Sequence, residues 1–475
     1  MNQKWLRKIK EWLFYLFLFL LPWQTRLIIK EGKLNAAYWE YGTISVYAVE
    51  FLLWLIIILT GIEIFLSFYT RSQNYKFKIN FQSLKKFQIP KANIFYFLGI
   101  LFFFAFISSL IAFRPFLSFY WLLRLSEGLA IFLIIFFQNF NLERIVIAFV
   151  GGAVLQAVLG LCQFFTQYVF PSKWLGMAEQ IPAILGTSVV EVNGLRFLRA
   201  YGSLPHPNIL GAYLLIAIIL LFYGFKSLLI RNRLSLSLSI VSYFCLIAGM
   251  FFSFSRAGWL AFLIVVFISL WPLVRLIILF FRRKIEKNYP LSFRAFFSQD
   301  NNIPIYYFLF WSGFLFFLIL FFSFWPLARA RLFTQGYLEI KSNEERIVGY
   351  QQSWQLIKKH FWLGVGPANY TLAVHHELDE LKPAWAYQPV HNVYLLVFSE
   401  IGIFGILAFI SLFIFLLKNC YLSRVNCKEI PSMIVLSLII LLFFDHFWWS
   451  LALGMWLFWF TFGIAVRFLS CKTQS

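Results

Sequence analysis

Ionisable side chains are scarce in this chain, and a few of them fall where long apolar runs end. These are Arg199, His206, Arg256, Arg346, His391 and the adjacent pair Asp445–His446. A charge near hydrocarbon costs ~3 kcal/mol, so each of these groups needs a partner or a task. Arginine presents a planar fork that matches phosphate oxygens two at a time. Histidine is the side chain best poised to take a proton near neutral pH.

Three segments carry most of this chemistry. Arg199-Ala-Tyr-Gly-Ser-Leu-Pro-His206-Pro-Asn208 reads as a loop running into a helix, since proline suits a first helical turn. It brings together an Arg fork, free backbone N–H groups and a His; the alternative is a plain turn with a snorkelling Arg. Ser253-Phe-Ser255-Arg256-Ala257-Gly258 reads as a tight turn between apolar runs. Arg256 there needs an anion, either a ligand or a carboxylate or lipid headgroup. His391-Asn392 opens another apolar run, at the positive end of a helix dipole that suits a phosphate. Glu400 lies nine residues on, ~13 Å deeper at ~1.5 Å per residue and on the opposite face, and reads as a buried structural carboxylate. Arg124 and Glu127, three apart, read as a structural pair along one helix face. Asp445-His446-Phe-Trp448-Trp449 resembles an interfacial aromatic belt with an ion pair, a less favoured contributor to the site.

The elements that must position these groups follow from composition. Of 475 residues, 61% are hydrophobic and 13% charged, against ~45–50% and ~25% in soluble domains. The 62 phenylalanines could not be hidden inside a soluble fold. Soluble enzymes, nucleic-acid binders and disordered chains are excluded, and the chain reads as an all-α polytopic membrane protein. Apolar stretches fall at 11–23, 44–69, 92–113, 117–137, 145–170, 207–225, 236–254, 258–281, 304–327, 392–417, 431–447 and 450–466, about twelve spans. They are continuous rather than alternating, which excludes a barrel.

The formal charge of +21 comes from 41 Lys+Arg against 20 Asp+Glu, and the topology accounts for most of it. An even span count puts both termini on one side. That side holds Lys4, Arg7, Lys8 and Lys10; Arg71, Lys76, Lys78, Lys85, Lys86 and Lys91; Lys226, Arg231 and Arg233; Arg282, Arg283, Lys284, Lys287 and Arg294; and Lys418, Arg424 and Lys428. These are short loops, so that side is expected to be cytoplasmic. The first 21 residues read as an uncleaved signal anchor, because Leu20-Leu21-Pro22-Trp23 offers no small-x-small cleavage site. Cys162 and Cys245 fall within spans, while Cys420, Cys427 and Cys471 fall on the cytoplasmic side. No CxxC is present, so neither a disulfide nor a zinc site is supported.

The expected organisation is a bundle over 1–327, a long extracytoplasmic loop over 328–391 and a bundle over 392–475. A second outward segment, about 171–205, carries Lys173, Arg196 and Arg199. Within the long loop, 343–361 reads as an amphipathic helix with Asn343 as N-cap and Glu344 and Glu345 in its first turn. Ile347, Tyr350, Trp354, Ile357 and Phe361 would form one face against the bundle or the membrane interface. Gly364-Val365-Gly366-Pro367 then breaks the helix, and a second piece is expected over about 371–381. The candidate residues share the outward ends of their spans, which suggests one site facing outward. No Walker loop, strand-associated GxGxxG, Asp-x-Asp or His-rich metal spacing is present, so no nucleotide domain, cofactor or metal is expected.

Taken together, the motifs are similar to those of the O-antigen ligase and O-antigen polymerase family of bacterial membrane glycosyltransferases. The resemblance rests on Arg199…Gly202…His206-Pro207-Asn208, Ser255-Arg256-Ala257-Gly258, Arg346…Trp354 with Gly364-Val365-Gly366-Pro367, and His391-Asn392…Glu400-Ile-Gly402…Gly405. It covers about 195–410. It implies glycan transfer from undecaprenyl pyrophosphate to a glycan, lipid or protein acceptor at the outer face of the bacterial cytoplasmic (inner) membrane. It also implies His391 as catalytic base and Arg199, Arg346 and Arg256 as pyrophosphate ligands, with Arg196 able to stand in for Arg199. His206, Asn208 and Asn392 are further contributors. An acceptor hydroxyl activated by a single base and attacking opposite the leaving group would invert the anomeric carbon, without a metal. A lipid-linked oligosaccharide flippase or polysaccharide transporter is the competing class. It would favour charges at mid-membrane and an internal repeat, and no repeat is found. A structural scaffold would leave the outward Arg and His groups unexplained.

Overall fold

The computed structural model describes residues 3–73, 91–228, 233–269, 303–333, 336–378, 382–422 and 429–470. Lys4 aside, the expected loop cations Lys76, Lys78, Lys85, Lys86, Arg231, Arg282, Arg283, Lys284, Lys287, Arg294, Arg424 and Lys428 lie outside the described residues. So do Cys427, Cys471 and the second half of the 258–281 stretch.

Each expected apolar stretch falls on a helix: α1 (Gln3–Leu20), α2 (Ala48–Gln73), α3 (Lys91–Leu110), α4 (Pro115–Phe137), α5 (Leu142–Thr166), α6 (Pro207–Leu228), α7 (Arg233–Phe252), α8 (Arg256–Ser269) and α9 (Ile303–Ser323). Between α9 and the last group of spans lie α10 (Trp325–Phe333), α11 (Tyr337–Lys359) and α12 (Tyr370–Glu377). The chain then runs through α13 (Val393–Leu422), α14 (Glu429–Phe444), the short α15 (Phe447–Ser450) and α16 (Ala452–Ser470). Among the described residues, seven helices are long and apolar enough to cross a membrane, or eight if α9 and its bent continuation count as one span. Helices α3, α8 and α14 are shorter apolar helices. The chain is thus an all-α polytopic membrane protein; the full count of twelve crossings belongs to the proposal below.

The surface explains the composition. Phe103, Phe106, Leu133, Ile147 and Phe267 point outward, which suits hydrocarbon rather than water. The centre is α16, whose apolar window is 94% buried. Its Trp456, Trp459 and Phe460 are fully enclosed, and it packs chiefly along α4.

Three expectations change here. The 44–69 stretch begins as a strand, β4 (Ile44–Tyr47), paired antiparallel with β1 (Arg26–Lys30); helix starts only at Ala48. A tighter hairpin, β2 (Lys33–Leu34) with β3 (Ala37–Tyr38), lies between them. Lys10 is not a loop charge: it is buried inside α1 and paired with Glu63 of α2. Asn343 is not an N-cap: α11 starts two turns earlier, after Gly336, and its first-turn acid is Glu339. The expected apolar face of α11 is also split, with Ile357 buried and Ile347 and Trp354 exposed.

Candidate active site

The loops at one end of the bundle are tied together, and the candidate residues sit in the ties. Gln156 and Gln163, seven apart on one face of α5, hold the loop before α6. Gln163 accepts from the Tyr201 and Gly202 N–H groups and donates to the Gly202 carbonyl, while Gln156 accepts from Ser203. That fixes Arg199, which is 3% exposed and therefore not a snorkelling side chain. Its Nε donates to the Ser253 carbonyl (2.8 Å) and its terminal nitrogen to Asn208 Oδ1 (2.6 Å). Asn208 in turn donates to Asp445 Oδ2 (3.0 Å).

The turn between α7 and α8 is the second anchor. Phe254 adopts a left-handed backbone (φ 47°), a costly state for a bulky residue that is typical of functional turns. This turns consecutive carbonyls toward the site: Ser253 receives Arg199, and Phe254 receives Arg331 Nε at 2.9 Å. Ser255 caps α8 by accepting from the Gly258 N–H. Arg256 then reaches Asn343 Oδ1 (3.1 Å) and lies 3.7 Å from Glu339, a carboxylate partner as one reading of that turn required.

Arg331 and Glu339 were not recognised from sequence. Both are buried, and they form an ion pair. Their signal is faint, because Arg331 lies at the end of a short helix beside Arg329 and Glu339 among ordinary helix acids. Arg346 is half-buried on α11, and its Nε is buried without a hydrogen-bond partner. Seven residues on, Ser353 meets Ser399 of α13 at 2.8 Å, so this face of α11 is the one turned toward α13. Gly349 approaches Val390, next to His391.

His391 stands at the mouth of α13. Asn392 is that helix's N-cap, accepting from the Leu395 N–H (3.1 Å), which gives it a structural role. Gly402 breaks α13 with φ 69°, and Gly364 opposite has φ 70°. The break frees the Ser399 and Glu400 carbonyls to accept from the Val365 and Gly366 N–H groups at 2.9 Å each, while Ile403 donates to Phe361. A Cβ on either glycine would collide with the other segment's backbone. Glu400 is buried as expected and accepts from Trp449 Nε1 (2.8 Å).

Asp445 and His446, which the sequence favoured less as contributors, lie directly beside His391. The His446 ring stacks on His391 with centroids 4.9 Å apart and planes 20° apart. Ligating atoms of His391, Asp445 and His446 lie within 4.8 Å of one another. Tyr41, from the N-terminal hairpin segment, meets the edge of His446 at 5.8 Å. Arg196, by contrast, lies on the hairpin of β5 (Val189–Val192) and β6 (Leu195–Leu198). It is in register with Glu191, and its guanidinium is 3.5 Å from the Ile184 carbonyl.

Electrostatics divide the site in two. Burial, reinforced by Arg331, pushes Arg199 well below the usual arginine value, the signature of a cation held without its anion. Burial lowers His391 as well, with Arg346 acting in the same sense and Asp445 opposing. Burial puts His206 and His446 each at about 3. All three imidazoles are thus neutral at pH 7. Burial opposes ionisation of Asp445, but its histidine neighbours and the Asn208 hydrogen bond outweigh this and hold its carboxyl at about 2.

No curated protein matches the chain. The sequence model of the family described as O-Antigen ligase matches residues 241–410, a stretch containing Arg256, Arg331, Arg346 and His391. Arg199, His206, Asn208, Asp445 and His446 lie outside that stretch and join the site only through the fold. Over residues 241–410, a little over a third of the chain, the sequence is thus similar to the O-antigen ligase family.

Proposed function

We propose that this protein transfers a glycan from undecaprenyl pyrophosphate to an acceptor hydroxyl, at the outer face of the bacterial cytoplasmic membrane. In this reading the chain crosses the membrane twelve times with both termini cytoplasmic, and residues 328–391 lie outside above the site.

The observation that carries the reading is the charge balance beside His391. Arg199, Arg256 and Arg331 share one carboxylate, Glu339, while Arg346 and the second carboxylate, Asp445, both act on His391. That leaves two positive charges, and a pyrophosphate esterified at both ends carries two negative ones. Preorganised guanidinium donors in a water-poor setting stabilise such a leaving group strongly. The chemistry then needs one proton transfer. Neutral His391 takes the proton of the acceptor hydroxyl, and the oxygen attacks the anomeric carbon on the face opposite the phosphate. The carbon–oxygen bond to the lipid pyrophosphate breaks, with inversion. The glycosyl phosphate is already activated, so neither nucleotide nor metal is required.

The test is a reconstituted assay with undecaprenyl-pyrophosphate-linked glycan, wild type beside His391→Ala. The expected result is free lipid pyrophosphate together with transferred or lengthened glycan in wild type alone. Movement of the lipid-linked sugar across the bilayer without transfer to any glycan, lipid or protein acceptor would replace this reading with a flippase.

A further inference from the structure

We propose that His391, Asp445 and His446 also form a binding site for a divalent transition-metal ion of the zinc type, and that an ion held there switches glycan transfer off. The switch, though not the metal site, rests on the base role of His391 proposed above.

The ligand chemistry is specific. Two imidazoles and one carboxylate are a normal donor set for such ions, which take these ligands at about 2.0–2.2 Å. One ligand atom from each of the three residues already lies within 4.8 Å of the others. Side-chain rotations of about an ångström would close that to the ~3.4 Å spacing of a tetrahedral site.

The surrounding hydrogen bonds matter more, because they set which lone pairs are available. Ser450 Oγ lies within hydrogen-bond reach of both the His446 carbonyl (3.1 Å) and His446 Nδ1 (2.7 Å). With its proton on the carbonyl it accepts from Nδ1–H, the tautomer that leaves the Nε2 lone pair of His446 for the cluster. The carboxylate of Asp445 is oriented on both oxygens, by the His446 N–H (2.9 Å) and by Asn208 (3.0 Å), each of which leaves a lone pair free. These are the supporting contacts that metal ligands characteristically have. His391 Nδ1, by contrast, is buried with no hydrogen-bond partner. An unanswered polar atom in an otherwise satisfied cluster points to a missing ligand.

His206 shows the selectivity of the arrangement. It is also buried nearby, but its Nδ1 accepts from the Asn208 N–H (3.1 Å), so its other nitrogen carries the proton and cannot ligate. The guanidinium of Arg346 faces His391 and His446. It disfavours hard cations held mainly by charge, such as magnesium, and leaves ions held through imidazole nitrogen. His391 is partly exposed, which gives an ion a way in and solvent a fourth position. An ion there occupies the lone pair with which His391 would accept the acceptor's proton.

The experiment uses tag-free, chelator-stripped protein in detergent, titrated with Zn²⁺ alone by calorimetry and with Co²⁺ alone by visible absorption. Wild type should bind one equivalent, with the intense visible bands of tetrahedral cobalt. His446→Ala should weaken binding 100-fold or more. Ser450→Ala, a milder change that keeps all three ligands, should weaken it about 10–100-fold. Zn²⁺ should then inhibit wild-type transfer in proportion to occupancy, with chelator restoring activity. Sub-stoichiometric binding, or equal affinity in His446→Ala, overturns the site and leaves the base role of His391 standing. Stoichiometric binding without inhibition keeps the site but overturns both the switch and His391 as the base.

Discussion

Among the described residues, two buried clusters of three or more ionic groups are built on opposite plans. In the first, Arg124 of α4 faces two carboxylates, Glu50 at 2.5 Å and Glu127 at 3.1 Å. The Trp54 and Trp456 indoles donate to Glu127, the Tyr47 N–H donates to Glu50, and Arg124 itself donates to the Ser45 carbonyl and the Tyr120 hydroxyl. Apart from Arg124 Nε, these groups have partners within the fold. In the second, four arginines stand among two carboxylates, Glu339 and Asp445, and Arg346 Nε, Glu339 Oε2 and His391 Nδ1 are left without a hydrogen bond, Glu339 Oε2 having only the Arg256 ion pair at 3.7 Å. A cluster whose two carboxylates outnumber its single arginine answers that cation within the fold and stabilises architecture. One that keeps cations in excess, beside a neutral histidine, is built for an anionic ligand and a proton transfer.

That contrast can be broken by experiment. His391→Ala should lower transfer about 10²–10⁴-fold, the usual weight of a general base, with no loss of melting temperature. An equal loss of stability would make His391 structural. Arg124→Ala should do the reverse. It strands two buried carboxylates and should cost roughly 3–5 kcal/mol of stability, read as a lower melting temperature, while the folded fraction keeps its donor affinity. Weaker donor binding in that folded fraction would erase the distinction.

Smaller effects sharpen it. Arg346→Lys keeps the charge but loses the fork, and should raise the donor KM about tenfold with little change in kcat. An unchanged KM would remove Arg346 from pyrophosphate binding. On the acid side, transfer should hold as pH falls from 7 through 6.5, because burial holds His391 neutral below its ordinary value. It should decline only once pH falls through that lowered value. A rate lost already above pH 6.5 would mean a histidine that is not depressed. Smallest of all, Arg196→Ala should change donor affinity by no more than about 0.5 kcal/mol, since its partners lie on its own hairpin side.

The helical membrane class and the position of nearly every helix followed from the sequence, because apolar runs of membrane-spanning length are a one-dimensional signal. Arg199, Arg256, Arg346 and His391 were legible for a related reason: a polar group at the end of such a run stands out against its neighbours. Other features were not legible. Arg331 and Glu339 look ordinary until α10 folds back on the Phe254 carbonyl. Gln156 and Gln163 look like helix-surface residues until the loop before α6 lies over them. Asp445–His446 read as an interfacial belt because the 54 residues separating Asp445 from His391 hide the ring stack between His391 and His446. Likewise, the positive φ at Gly402 breaks α13 so that it exchanges hydrogen bonds with Phe361, Val365 and Gly366. The sequence alone determined which side chains the bilayer would make expensive. Only the tertiary structure decided which of them answer one another and which are left for a ligand, because pairing depends on distances between segments far apart in the chain.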